Sequence, residues 1–145
     1  MRLEHLPQRL DKLSKQQGLT YALGRPATEA DVLRAEQRFG VSFPAQVRQF
    51  YKHVDGLRVM EPQLEVLALA QLCHVAPNRL HFATFDGQTQ VSFDVSQTNA
   101  ADQWDIVSDE DYRITMTMAS FWSNKIWAWL EKGRAIWKEW QPDES

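Results

Sequence analysis

The chain has 145 residues, a formal net charge of −3, 43% hydrophobic and 24% charged residues, and only 6 Gly and 6 Pro. That profile excludes a disordered or low-complexity chain and fits one globular core, since a domain of this size buries roughly 68–70% of its unfolded surface. No apolar stretch approaches the roughly 20 residues of a spanning helix, and the opening MRLEHLPQRLDKL has no apolar signal core. A single domain over 1–145 in the cytoplasm is therefore expected. The lone Cys73 closes no internal disulfide, and its expected place is in the apolar interior.

Charge is unevenly spread. Residues 1–60 hold ten Lys/Arg against six Asp/Glu, whereas residues 61–112 hold Arg79 alone against nine Asp/Glu. An acidic middle repels nucleic acid and favours a basic protein surface, provided its carboxylates share a face.

In chain order, Leu3, Leu6, Leu10 and Leu13 form a helical stripe that ends near Gly18, with Pro7 in its first turn. LTYALGRPA reads as a turn-rich connector. Thr28 is placed to N-cap a second helix whose first turn carries Glu29 and Asp31, whose inner face carries Val32, Ala35 and Phe39, and which Gly40 closes. Pro44 is expected at the first position of a third helix, with a stripe of Val47, Phe50, Tyr51 and Val54 and a cap at Gly56. Strand-like runs follow at 57–60 and 64–69, then an ambiguous stretch around Cys73 and His74. Asp86-Gly87 reads as the turn of a hairpin in which Val91, Phe93 and Val95 alternate with Ser92 and Asp94. After the loop QTNAADQ come strands near WDIVS and YRITM, and a closing helix with Trp122, Ile126, Trp129 and Leu130 on one stripe, stopped by Gly133. Trp127, about 100° from Ile126 on a regular helix, falls off that stripe, and a Trp-rich extension spans 134–145. The order predicts an α+β fold: a mostly antiparallel sheet with N-terminal helices and a closing C-terminal helix packed on it.

ATEADVLRAEQRFGVSFPAQVRQFYKHVDGL, residues 27–57, resembles the N-terminal signature of the SMI1/KNR4 family, also called the SUKH superfamily. Glu36, Gly40, Phe43-Pro44 and Asp55-Gly56 fill the places of its Glu, Gly, hydrophobic-Pro pair and Asn-Gly, with Phe for the more usual Leu and Asp for the usual Asn. The layout of the later part is also similar, with a closing helix opened by Ser120-Phe121. The resemblance implies an α+β fold and a non-enzymatic binding role. Bacterial members of the family look like immunity proteins that neutralise a toxin, often a nuclease, by direct binding, and fungal members act as signalling adaptors. The signature residues, with Phe50, concern folding more than partner choice.

Catalytic and metal spacings are absent from the sequence. His53 and Asp55 diverge at a helix end, and Cys73 and His74 point to opposite faces of a strand. His5, His53, His74 and His81 show no zinc spacing, and no glycine-rich phosphate loop occurs, so no cofactor or metal is expected. The candidate partner-binding set is Asp86, Asp94, Asp102, Trp104, Asp105, Asp109, Glu110, Asp111 and Tyr112, carboxylates interleaved with aromatics. The same residues also read as solvated turns around core aromatics, and both readings stand. The leading expectation is an immunity-type protein that caps a cognate toxin with a basic surface, without nucleic acid or membrane. An adaptor with an endogenous protein partner is the alternative, and a hydrolase with a site scattered in sequence is the second.

Overall fold

The computed structural model describes residues 3–60, 63–109 and 112–132. A 3-10 turn (Leu3–His5) leads into α1 (Leu6–Gln17), which buries Leu6, Leu10 and Leu13 and ends where Gly18 adopts φ 73° and its N–H bonds to Ser14 O at 2.7 Å. Helix α2 (Glu29–Phe39) starts in a reciprocal capping box: Thr28 Oγ1 accepts from Asp31 N, and Asp31 Oδ2 accepts from Thr28 N. Helix α3 (Ala45–His53) buries Val47, Phe50 and Tyr51.

The strands are β1 (Thr20–Leu23), β2 (Leu57–Met60), β3 (Leu64–Val66), β4 (Cys73–Ala76), β5 (Arg79–Phe85), β6 (Thr89–Asp94), β7 (Asp105–Ser108) and β8 (Arg113–Thr115). They form one sheet in the order β1-β2-β3-β5-β6-β7-β8, with β4 beside β5, and every pairing is antiparallel. The chain closes with α4 (Met118–Ser120), a π-helical turn (Phe121–Ile126) and α5 (Trp127–Lys132). The α+β expectation holds.

Helices cover one face of the sheet. Leu80, Phe82, Phe85, Val91, Phe93 and Ile106 point into them; Phe82 stacks on Phe93 with ring centres 3.9 Å apart, and Phe121 meets Phe82 edge-on at 5.7 Å. Helix α1 is pinned to α5 by Arg9, which lies 4.6 Å over the Trp127 ring and pairs with Glu131 at 3.2 Å.

Several local expectations are corrected. LTYALGRPA contains strand β1, which pairs with β2 from Thr20↔Met60 to Leu23↔Leu57. The run 64–69 is a strand only to Val66 and then turns into a 3-10 segment (Leu69–Gln71). Pro44 is the N-cap of α3 rather than its first residue, with an extended ψ of 158°, and the helix is closed by extended Val54, not by Gly56. Cys73 is exposed, because β4 is an edge strand whose four residues all face solvent. Phe39 is only half-buried, set edge-on to His74. The closing helix is capped by Thr117, whose Oγ1 accepts from Ser120 N at 3.0 Å, three residues earlier than Ser120-Phe121. Trp127 is 1% exposed: the wider π turn shifts the helical phase, so Phe121, Trp122, Ile126 and Trp127 all reach the core. Gly133 and the extension 134–145 lie outside the described residues.

Two glycines allow the backbones of β1 and α3 to meet. Gly24 N–H donates to Gly56 O at 2.7 Å, and a Cβ on Gly24 would stand 2.0 Å from Asp55 O. Gly56, at φ 88°, would bring a Cβ to 2.8 Å from Ala68 N. Since Gly24 does not have a positive φ, Gly24→Ala isolates the steric term: overpacking here is expected to cost about 1–3 kcal/mol or more. Urea unfolding should show a lower midpoint with an unchanged slope; an unchanged midpoint would mean that this crossing is not formed.

Candidate functional site: the open face of the sheet and its acidic ends

The signature residues make internal ties. Glu36 Oε2 accepts the Phe43 N–H at 2.7 Å and pairs with Arg48 Nη1 at 2.8 Å, so one carboxylate joins the end of α2, the loop before α3, and α3 itself. Arg48 Nη2 also reaches Glu29 Oε1 at 2.6 Å, and Lys52 pairs with the same carboxylate. Phe43 packs edge-on against Trp104 at 5.5 Å, and Phe50 contacts Tyr51 and Trp122. Asp55 Oδ1 accepts the Leu69 N–H at 2.7 Å, and Tyr51 Oη donates to Leu67 O at 2.9 Å, which together hold the β3–β4 connection to the end of α3.

The acidic set of 86–112 falls into two groups. Asp94 lies directly opposite Asp105 across β6 and β7, with Asp102 in the loop beside them. Here Asp94 Oδ1 accepts from Ser96 N and Oγ at 3.0 and 2.6 Å, and Asn99 Nδ2 donates to Asp105 Oδ1 at 2.9 Å and to Met116 O at 2.8 Å. Asp86, in the β5–β6 turn at φ 54°, and Asp109, just past β7, lie at the other end of these strands. From Val91, paired with Ser108, to Asp94 is three residues of strand, about 10 Å at the usual rise. Trp104 is 4% exposed and packed between Phe43 and Phe93, which removes it from any contact surface as the chain stands, and Tyr112 rests against the core. Glu110 and Asp111 lie outside the described residues.

Neutralisation separates the two halves of the molecule. Asp11, Glu29, Asp31 and Glu36 all pair with cations of their own half: Lys15, Arg48 and Lys52, Arg34, and Arg48. Asp86, Asp94, Asp102, Asp105 and Asp109 form no ion pair among the described residues, so the unbalanced negative charge of the fold is concentrated on these strand ends.

Between the acidic ends lies the sheet face that the helices among the described residues leave open. The register puts Cys73, His81, Ser92, Val107 and Arg113 on one cross-strand row, next to a row of Arg58, Glu65, Thr84 and Gln90. Val107 is 5% exposed yet belongs to no part of the main core, and His81 Nε2 lies 3.0 Å from both Ala83 O and Thr84 Oγ1. A cavity of about 460 Å³ opens on this face, lined by the turn from Val75 to Arg79 and by Gln90, Ser92, Ser108 and Asp109. Of these, only Asp109 was singled out from sequence. The available signal was the alternation around Val91 and Phe93, which turns Ser92 outward. Two further hollows differ in kind. That beside α2, about 250 Å³, has its polar groups committed internally: Arg34 to Asp31, Arg38 to the Ala70 and Leu72 carbonyls, and Asp55 to Leu69. That along α1, about 500 Å³, carries His5, Arg9 and Lys12 together with Glu131, which pairs with Arg9. Among the described residues no group of three or more His, Cys, Asp or Glu could hold a metal ion, and no helix is long and apolar enough to cross a membrane.

An antiparallel sheet with helices on one face, a Glu36-centred tie and an Asp55-Gly56 crossing define an α+β scaffold. Residues 26–131 match the model of the SMI1 / KNR4 family (SUKH-1), and the chain belongs to that family. No curated protein matches the chain significantly.

The ties carry opposite pH signatures. Burial raises the Glu36 pKa, but the Phe43 N–H, Arg48 and Ser42 together outweigh it and hold the carboxyl below its ordinary 4.5. A depressed carboxyl stabilises the fold above its unfolded pKa and loses that contribution in acid. Glu36→Gln is expected to cost about 1.5–3 kcal/mol at pH 7, the range for hydrogen bonds to a charged group, with the deficit in urea unfolding shrinking as pH falls below 4.5. Burial pushes Asp55 above its ordinary 3.8, only partly offset by the Leu69 N–H and reinforced by Asp31. Its ionisation therefore penalises the fold increasingly as pH rises from 3.8 through that raised value. Asp55→Asn, which restores the family's usual residue, should raise stability at pH 7 and lose that advantage in acid; a variant that is destabilised at pH 7 would refute this balance.

Proposed function

We propose that the chain is a single SMI1/KNR4-like domain of the immunity type, a non-enzymatic cytoplasmic protein that neutralises a cognate bacterial toxin by binding it. Family membership supports the protein-binding class, and the observation that carries the finer reading is the set of carboxylates left without cations at the ends of β5, β6 and β7. The contact surface comprises Asp86, Asp94, Asp102, Asp105, Asp109, Glu110, Asp111 and Tyr112, and the toxin presents a basic surface to it. Unpaired charge at a rim acts mainly on encounter, raising the association rate in a salt-dependent way, while buried contacts set the residence time. An endogenous partner would make the same domain an adaptor, and gene neighbourhood separates the two: an immunity gene lies beside a toxin gene.

Co-expression should restore growth of cells making a toxin encoded beside this chain's gene, and the purified pair should associate more slowly as salt rises. Reversing Asp109, Glu110 and Asp111 to Lys is expected to slow association about tenfold or more at low salt, with a smaller change in dissociation. An unchanged association rate moves the interface elsewhere, and a failure to protect growth removes the immunity reading.

A further inference from the structure

The cavity on the open sheet face has a feature that a solvated turn does not require. Ser92 is only 5% exposed, lines the cavity, and its hydroxyl makes no hydrogen bond among the described residues. Among the described residues Trp122 Nε1, not Ser92 Oγ, is the fully buried polar atom without a partner, so the Ser92 hydroxyl opens into the cavity, where water or a ligand can bond it. Around it stand Gln90, whose amide is likewise unbonded, and Asp109, whose carboxylate has no cation. The opposite wall, from Val75 to Pro77, is apolar, and Val75 is 48% exposed. Arg79, at the end of that wall, is itself engaged. The site thus offers acceptors on one side and an apolar strip on the other, within a volume of about 460 Å³ that suits a long side chain rather than a lone ion.

We propose that this cavity receives an arginine side chain of the protein partner, its methylene stem along Val75 and Pro77 and its guanidinium shared between Asp109, Ser92 Oγ and the Gln90 amide oxygen. This rests on the reading that the partner is a basic protein and names the contact that anchors it. The chemistry favours arginine over lysine. A guanidinium presents five donors in a planar fork and can meet several separated acceptors together, whereas an ammonium is a compact, strongly hydrated charge. The aliphatic stem covers apolar surface while the charged head stays at the polar end. Asp109 supplies a charge-assisted bond and Ser92 fixes the depth of insertion.

The test uses the full chain and N-acetyl-arginine methylamide, followed by amide chemical shifts in a ¹⁵N-labelled sample. Shifts should cluster at Asn78, Gln90, Ser92 and Asp109. Asp109→Asn should weaken the probe about tenfold, Ser92→Ala about threefold, and the neutral citrulline analogue should bind about tenfold more weakly. Asp11→Asn, the same charge change on α1, outside both the cavity and the proposed contact surface, should leave affinity within about twofold, which separates a pocket from a diffuse effect of net charge. Equal binding of arginine and citrulline probes, or shifts centred on another surface, would overturn the proposal, as would indifference of the probe to both Asp109→Asn and Ser92→Ala in variants that melt like the parent. If the probe fails while Lys reversal of Asp109, Glu110 and Asp111 still slows toxin association, the acidic docking reading stands and only the arginine pocket is lost.

Discussion

Among the described residues the helices lie on one face of this sheet, and that asymmetry sets the rest of the structure. The strands from β2 to β7, apart from the edge strand β4, send most of their apolar residues the same way, Met60 and Val107 being the outward exceptions. The register does this: Leu57, Val66, Ala83 and Val91 form one inward row, and Leu80, Phe93 and Ile106 another. The helices that fill the inner side are then constrained in turn. The closing helix is buried on more than one stripe, with Phe121, Trp122, Ile126 and Trp127 all in the core, and a regular α-helical phase cannot present them together. The π-helical turn resolves that conflict.

Charge follows the same division. The helical half contains most of the cations, and Lys15, Arg34, Arg48 and Lys52 pair with its own carboxylates, Asp11, Asp31, Glu29 and Glu36. Exposed pairs of this kind contribute little each; the Glu36 tie differs because it also satisfies a backbone N–H in the loop before α3. Among the described residues no ion pair neutralises the aspartates at the ends of β5, β6 and β7. Asp94 and Asp105 even face each other directly, an arrangement that disfavours the folded state slightly and is relieved by hydrogen bonds from Ser96 and Asn99. The uneven charge of the sequence thus becomes an uneven charge in space.

The helices were legible because their ends carry chemistry that acts locally: Thr28 with Asp31, Gly18, Gly40 and Pro44. The hairpin at Asp86-Gly87 was legible from alternation. Strand β1 was not, because TYAL buries almost nothing; it is held by backbone bonds to β2 and by the Gly24–Gly56 approach, both set by residues more than 30 positions away. The exposure of Cys73 depends on β4 being an edge, and the burial of Trp127 on the π turn; neither leaves a local trace. For the site, adjacency in sequence misled: Asp105 and Asp109 flank a four-residue strand and lie at its opposite ends, and Trp104 beside them belongs to the core. Ser92 was visible only as the outward residue of a hairpin whose second face had no assigned use.

A one-sided sheet also separates two kinds of constraint. Glu36, Gly56 and the inward aromatics are fixed by contacts on the helical side, where a change of one methylene group is felt. The outward rows, from Arg58 to Gln90 and from His81 to Arg113, lie outside that core cluster. Substitution there alters charge, depth and hydrogen bonding of the open face while leaving the packing intact. A scaffold built this way can retain one folding signature and take different partners, because the residues that specify the fold are not the residues that would meet the partner. The Ser92 hydroxyl and the aspartates fit that division: Asp94 and Asp105 accept hydrogen bonds from Ser96 and Asn99, but no ion pair among the described residues neutralises these carboxylates, and Ser92 opens into the cavity rather than the core.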